Sequence, residues 1–403
     1  LKPFWLKFAV HPFRPLPLMA VAAPQHAEMA AHALVVVPSS GQFVLTAAET
    51  VGLDRPEVSE GVLDPHIAAL LESMQRPLRP QCPSREVSLV SFNMLLRAFD
   101  QKHYYPKVSP LFRSWPWRKE QLVACLRGVD ADLFCMQEVQ CCSFDEDFDW
   151  LASAGYSHVA PKDDSKGKRL DIAKCAILYK SDRMEKLWVE HRSRVVVTAF
   201  RLVSSDQVLY VASCHLEGHP SEAATRFTQI RHALDSIRKH QSKASIDPSG
   251  SCVIIAGDLN EGEDGAVCHS LRSGGLSPDF RAQTLPDVQL TKANYSHEHD
   301  FSDLYDPREA PFARRPGTFC APPQQAEDVQ SAPEALDFVF YTGRSLRPVA
   351  IRQPMTEEQE VAASRDGIPS RWHFSDHVPI GGVFELILGS TDVACDRSSI
   401  ALV

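Results

Sequence analysis

No Cys-x-x-Cys pair occurs among the 11 cysteines of this 403-residue chain, so the sequence offers no ready structural zinc site. The odd count also argues against a disulfide framework. Cys135, Cys175, Cys214 and Cys252 fall inside apolar, strand-like runs, where a thiol acts as a small buried hydrophobe. A reducing, intracellular setting is expected, the cytoplasm first and a mitochondrion or other organelle as the alternative. In that setting the Asn294-Tyr295-Ser296 glycosylation sequon is read as chance. Basic residues are in deficit: 42 Lys and Arg face 51 Asp and Glu, for a net charge of −9. That argues against broad electrostatic binding to a polyanion but does not exclude a nucleotide or RNA end held at a metal ion. There is no apolar run long enough to span a bilayer, no internal repeat and no leucine-rich-repeat docking module. The acidic run Asp145–Asp149 lacks the Gly and the alternation of an EF-hand loop, and reads as a solvated face of an acidic helix over 144–154.

What is present divides the chain into three. Residues 1–84 are punctuated by prolines, which break regular elements, and read as a partly ordered extension with a linker over 76–84. Within it, residues 1–27 carry Lys2, Lys7 and Arg14 with no acid before Glu28. This is either the remnant of a transit peptide or a Pro-rich leader. Residues 85–390 alternate strands and helices, the α/β pattern of one large catalytic domain; 391–403 read as a tail. The clearest helix is 221–240, with Ala224, Phe227, Ile230, Leu234 and Ile237 on one face.

Polar groups recur where the apolar runs end. VSLVSFN closes on Asn93, ADLFCMQE on Glu138, VLYVASCH on His215, and CVIIAGDLN on Asp258 and Asn260; ALDFVFY carries Asp337 and FSDHVPIGG carries Asp376 and His377. One such group is ordinary. Six successive strand ends predict a single cleft floored by converging strands. Four carboxylates, two carboxamides and two imidazoles together call for a counter-charge, and oxygen donors suit a hard divalent cation, Mg2+ or Mn2+.

In this order the strings strand-Asn, QE, HL, GDxN, LD and SDH resemble the endonuclease/exonuclease/phosphatase superfamily of metal-dependent phosphoesterases related to deoxyribonuclease I. Within it, SFNMLLRAFDQKHYYP, the Trp-x-Trp-Arg of SWPWRK, DADLFCMQEVQ, AKCAILYKSDR and HLEGHP are similar to the deadenylase-like branch. That branch holds carbon-catabolite-repressor-type deadenylases, nocturnin, Angel and 2′,5′-phosphodiesterase. The resemblance implies a four-layer sandwich, two packed mixed β-sheets flanked by helices.

It also implies roles. Glu138 is the expected Mg2+ ligand, with Asn93 beside it and Asp376 adding a second carboxylate, directly or through water. His215 and His377 are expected to donate to phosphoryl oxygens, where charge develops in the transition state, and Asp337 to orient His377. Asp258 is expected to orient or deprotonate the attacking water, with Asn260 donating to the phosphate. Pro220 matches a substrate-base contact, but its expected aromatic partner falls on Ala332, so Phe319 or Trp372 is the candidate substitute. Arg226 and Gln229 are expected to brace the fold; Arg118, Lys168, Arg169 and Lys174 are candidate phosphate contacts. The expected activity is Mg2+-dependent hydrolysis of phosphoester bonds by in-line water attack, as a 3′ exoribonuclease on RNA 3′ ends. A nucleotide phosphatase or 2′,5′-phosphodiesterase of the same fold is the alternative, and a non-catalytic binding module the third reading.

Overall fold

The computed structural model describes residues 75–100, 105, 108–162, 173–283, 285–308, 314–320, 333–353, 355–356, 360–361, 368–370, 373–387 and 400–402. Most of the extension, and with it the transit-peptide or leader segment, lies outside the described residues, as do Lys168, Arg169, Ala332 and Trp372.

Fifteen strands are present among them: β1 Glu86–Asn93, β2 Leu133–Gln140, β3 Tyr156–Val159, β4 Ala173–Lys180, β5 Met184–His191, β6 Val195–Leu202, β7 Val208–His215, β8 Cys252–Asp258, β9 Gly275–Leu276, β10 Tyr295–Ser296, β11 Phe301–Asp303, β12 Asp337–Thr342, β13 Leu346–Arg352, β14 Ile380–Leu386 and β15 Ala401–Leu402. Three longer helices accompany them: α1 Trp115–Val129, α2 Ala223–Ala244 and α3 Ala266–Ser273. Two mixed sheets result, one in the order β15-β13-β14-β1-β2-β4-β3, the other β11-β12-β8-β7-β6-β5; β9 and β10 form a separate pair. Each large sheet has a parallel pair near its middle, β1/β2 and β7/β8.

The sequence shows why these strands are central. β1 and β8 are near-continuous apolar runs, buried on both faces, as strands covered on both sides must be. β5, at an edge, carries Glu185, Lys186 and Glu190, charges that blunt pairing with another chain. One core lies between the sheets, where Leu89, Leu133, Ile177 and Phe384 meet Phe200, Val211 and Ile254. A second lies outside the second sheet, where Phe227, Ile230, Leu234 and Ile237 of α2 and Val267 and Leu271 of α3 cover Tyr210, Ile255 and Phe338. The two mixed sheets flanked by helices match the expected sandwich.

Several expectations need correction. The acidic helix over 144–154 is a single turn, Phe144–Asp147, followed by turns. Asp147 is buried, not solvated: it accepts from Ser143 Oγ (2.6 Å), Trp115 Nε1 (2.7 Å) and Arg97 (3.1 Å). Trp115 and Arg97 come from segments the acidic run could not disclose. The linker is also anchored: Leu78 is buried and its N–H donates to Val129 O (2.8 Å). At the other end, Ala401 and Leu402 pair parallel with Ala350 and Ile351, so the segment read as a tail contributes a strand.

Candidate active site

Strand register assembles the site. Asn93 ends β1 opposite Gln137, one residue before Glu138. His215 ends β7 opposite Asp258, the last residue of β8, and Asp337, the first of β12, faces that same Asp258 from the other side. Asp376 and His377 precede β14, which pairs with β1.

Local backbone features aim these side chains. The β2/β4 pairing slips between Met136 and Val139, and Glu138 takes a φ of 56° at this bulge. Bulges re-aim side chains. Gln137 points between the sheets, donating to Ser213 Oγ (3.2 Å) and Cys135 O (2.9 Å), while Glu138 turns to the rim. Gly257 has a φ of 148°, and a Cβ there would lie 2.0 Å from Cys214 O. Only glycine lets β8 approach β7 this closely, which accounts for the Gly of the GDLN string.

The side chains form one connected group. Asn93 Nδ2 donates to Glu138 Oε1 (3.2 Å) and Asp258 Oδ2 (3.1 Å). Leu96 N–H donates to Glu138 Oε2 (2.8 Å). His377 Nδ1 lies 2.7 Å from Asp337 Oδ2, and its Nε2 lies 3.6 Å from Asp258 Oδ2. His215 Nε2 is 3.8 Å from both Glu138 and Asp258. Tyr105 donates to Asp376 Oδ2 (2.8 Å), and Ser375 Oγ donates to the Asn93 carbonyl (2.7 Å), tying the Asp376 loop to β1. Asn260, at φ 52°, donates from Nδ2 to Leu216 O (3.0 Å), and its own N–H goes to Asp258 Oδ1 (2.9 Å). One of its two amide N–H groups is therefore engaged by the chain that follows His215.

Burial sets the electrostatics. It raises Asp258, with His377 opposing and Asp337 adding to the shift. Asp376 is raised by burial, with His377 opposing the shift and Glu138 adding to it. Burial pulls the His377 imidazole down, but Asp337 and Asp258 outweigh it and hold the ring up at about 10, a cation at neutral pH. Four carboxylates thus share a small volume. Glu138, Asp376 and the Asn93 amide oxygen are hard oxygen donors. Among the described residues no three His, Cys, Asp or Glu side chains close into an ion cage. Mg2+ does not require one, because it retains several waters and is held by one or two carboxylates, so the donor set fits that ion.

Two residues that the sequence left unassigned, Tyr105 and Glu261, support the site. Glu261 accepts from Val267 N (2.6 Å) and Cys268 N (3.2 Å) at the start of α3 and lies 3.4 Å from Arg226 Nε. Its place directly after GDLN was the available signal. Arg226 also donates to the carbonyls of Glu217, His219 and Pro220, and Gln229 accepts from Glu217 N (2.9 Å), so both brace the loop carrying Pro220. Arg118 departs from its expected place at a phosphate. It is buried and donates to the carbonyls of Met94, Leu95, Leu96 and Phe374, so it holds the site's wall. Of the two candidate substitutes for the missing aromatic, Phe319 is described: its ring centroid lies 5.0 Å from that of His377.

Comparison with known proteins follows the same lines. The chain is 22% identical over 354 residues to the CCR4-Not complex 3′-5′-exoribonuclease subunit Ccr4 of Kluyveromyces lactis, covering 77% of this chain and 42% of that protein. It is 26% identical over 330 residues to 2′,5′-phosphodiesterase 12 of Bos taurus, covering 73% of this chain and 51% of the relative. The chain thus spans about half or less of these two relatives' length. The crystal structure of ANGEL2, described as a 2′,3′-cyclic phosphatase, superposes with a TM-score of 0.60 at 19% identity, covering 74% of this chain and 95% of that one. These similarities fall in the deadenylase-like branch. The Endonuclease/Exonuclease/phosphatase family profile matches residues 90–377, a span running from β1 to the His377 of the rim, and this chain belongs to that family.

Proposed function

We propose that the protein is a Mg2+-dependent phosphodiesterase that hydrolyses the 3′ end of RNA, a 3′ exoribonuclease of deadenylase-like type. The observation that carries the reading is the position of Asp258. It accepts from Asn93, lies 3.6 Å from a cationic His377, and has its basicity raised by burial. A carboxylate so placed suits the general base that takes a proton from water. His377, oriented by Asp337, and His215 supply donors for the phosphoryl oxygens as charge builds on them. Glu138, Asp376 and Asn93 would hold the Mg2+, which when bound neutralises phosphoryl charge and stabilises the leaving oxygen. Pro220 contacts the substrate base, and Asn260 has one amide N–H left for the phosphate. The site needs no protein nucleophile: Cys214 is buried and its thiol is raised well above its ordinary range by burial.

A second reading, a 2′,5′-phosphodiesterase or nucleotide phosphatase, is supported by the similarity to the bovine 2′,5′-phosphodiesterase and by the acidic net charge, which favours a short substrate over a long polyanion. A substrate panel with Mg2+ separates them: oligo(A), mixed RNA, 2′,5′-oligoadenylate, NADP and inositol phosphates, with product ends identified. Stepwise release of 5′-mononucleotides from 3′,5′-linked RNA is expected. Turnover of only the 2′,5′-linked or monomeric substrates would replace the first reading by the second. Glu138→Gln should raise the Mg2+ concentration needed for half-maximal turnover by more than about tenfold. Full activity in chelator would remove the metal from the account.

A further inference from the structure

A second cavity, of about 280 Å3, opens beside the rim and is lined by Lys162, Lys174, Cys175, His191, Arg192 and Ser193 among others. It is near the small end of the roughly 300–1,000 Å3 typical of ligand sites. Its position follows from register. Lys174 of β4 pairs with Val139, the residue after Glu138. Val195 of β6 pairs with Cys214, the residue before His215, whose own N–H donates to Arg194 O (2.9 Å). The cavity is therefore flanked from one sheet by the neighbour of Glu138 and from the other by the neighbour of His215. One to two strand spacings, roughly 5–10 Å, separate it from the rim. That is the scale of one nucleotide step.

Its charge runs against that of the molecule. In a chain of net charge −9, three cationic side chains line this cavity, and Lys186 acts on His191 as well. Among the described residues Glu190 lies 3.2 Å from Arg192. Arg192 is fixed further by Ser236 Oγ (2.8 Å), and Lys174 donates to Ser193 O (3.3 Å), so both cations are held against the cavity wall. Burial lowers the His191 imidazole, and Lys162, Lys174 and Lys186 add to that shift while Glu190 opposes it.

We infer that this cavity binds the phosphate next to the scissile one, so that the substrate is an oligoribonucleotide strand leaving the rim between β4 and β6. The inference rests on the phosphodiesterase reading of the rim and adds to it a second, non-reacting subsite. It assigns Lys162 and Lys174 to phosphate binding, and it makes strand length matter at the first few nucleotides.

The test compares the full chain with its Lys162→Gln/Lys174→Gln variant. Bis(p-nitrophenyl) phosphate, which has one phosphodiester and no second phosphate, reads the rim alone. Oligoribonucleotides of two to six residues read the subsite. The variant should match wild type within about twofold on the small ester and keep its melting temperature. It should lose about tenfold in kcat/KM on RNA of three or more residues, with a salt dependence shallower by about one, given a slope of about 0.7 per phosphate contact on single strands. Equal kcat/KM and equal salt slopes for variant and wild type would overturn the subsite. If wild type fails on the small ester with Mg2+, the reading of the rim fails instead. Anisotropy of a fluorescent oligoribonucleotide in EDTA then still decides the subsite: weaker binding by the variant supports it, and equal binding sinks it. A variant effect seen only with ADP against AMP, and not with oligoribonucleotides, would assign the cavity to a nucleotide's own second phosphate and overturn the strand path.

Discussion

At the scale of single residues, the rim separates groups that act on charge from groups that shape access. In the proposed mechanism Asp258 and His377 act where charge develops, so their loss belongs in turnover rather than in substrate affinity. Asp258→Asn should lower kcat by about 10²–10⁴, and His377→Gln by about 10²–10³, each with a Michaelis constant close to wild type. A variant whose only change is a weaker Michaelis constant would move that residue to substrate binding. The proposed base contact Phe319 would belong to the second group. It is half-buried, and its ring stands 5.0 Å from that of His377. Stacking of a base on an aromatic contributes roughly 1–3 kcal/mol, so Phe319→Ala should weaken oligo(A) binding by about ten- to a hundredfold. Comparison of oligo(A), oligo(U) and oligo(C) at one salt concentration checks this. Unchanged binding of all three would place the base elsewhere. Asn93, Glu138, His215, Asp258, Asp337 and His377 could be picked out beforehand because each closes or opens an apolar run. Tyr105 could not: its hydroxyl meets Asp376 from 271 positions away, and nothing in the local pattern of KHYYPK marks that contact.

At the scale of elements, a single glycine carries the join between β7 and β8, and with it the alignment of His215 with Asp258. A Cβ at position 257 would collide with the Cys214 carbonyl, a backbone atom that has nowhere to move inside a parallel pair. Gly257→Ala should therefore destabilise the fold by about 4 kcal/mol or more, the range reserved for severe core defects. Denaturant unfolding measures it; a loss under about 1 kcal/mol would show that the strands part without strain. Elements such as β8 and α3 were readable because their patterns are long or sharply bounded. The supposed acidic helix was not: four closely spaced acids look solvated until Trp115 and Arg97 arrive from elsewhere in the chain. Arg118 failed as a phosphate contact for a related reason. A cation on an amphipathic helix faces outward by default, and only the loop Met94–Leu96 and the Phe374 carbonyl turn its site into an interior one.

At the scale of the whole molecule, acid should loosen the fold through buried imidazoles. Burial lowers His299 to about 4, against an ordinary value of 6.5. The folded ring resists protonation while the unfolded one accepts it. The stability it contributes is complete above about pH 6.5 and is lost as pH falls toward 4. The slope is at most about 1.4 kcal/mol per pH unit, which amounts to about 3 kcal/mol across the window. His299→Gln should flatten the dependence of unfolding free energy on pH between 6.5 and 4 by about that amount. An identical profile in wild type and variant would show that the ring reaches solvent before the fold opens. Among the described residues no helix is long and apolar enough to cross a membrane.

The sequence by itself determined most of the long strands, most of the helices and the order of polar groups at the strand ends, because hydrophobic periodicity is written residue by residue. Order along the chain was enough to identify the family and with it the two-sheet sandwich. Only the tertiary structure decided which groups meet. Register sets His215 and Asp337 on either side of Asp258, and the bulge at Glu138 turns that carboxylate out of the alternation. Burial then separates their chemistry, leaving His377 a cation and Asp258 a stronger base. The physical reason is range. Periodicity is local, whereas contact, register and dielectric depend on segments that lie tens to hundreds of residues apart.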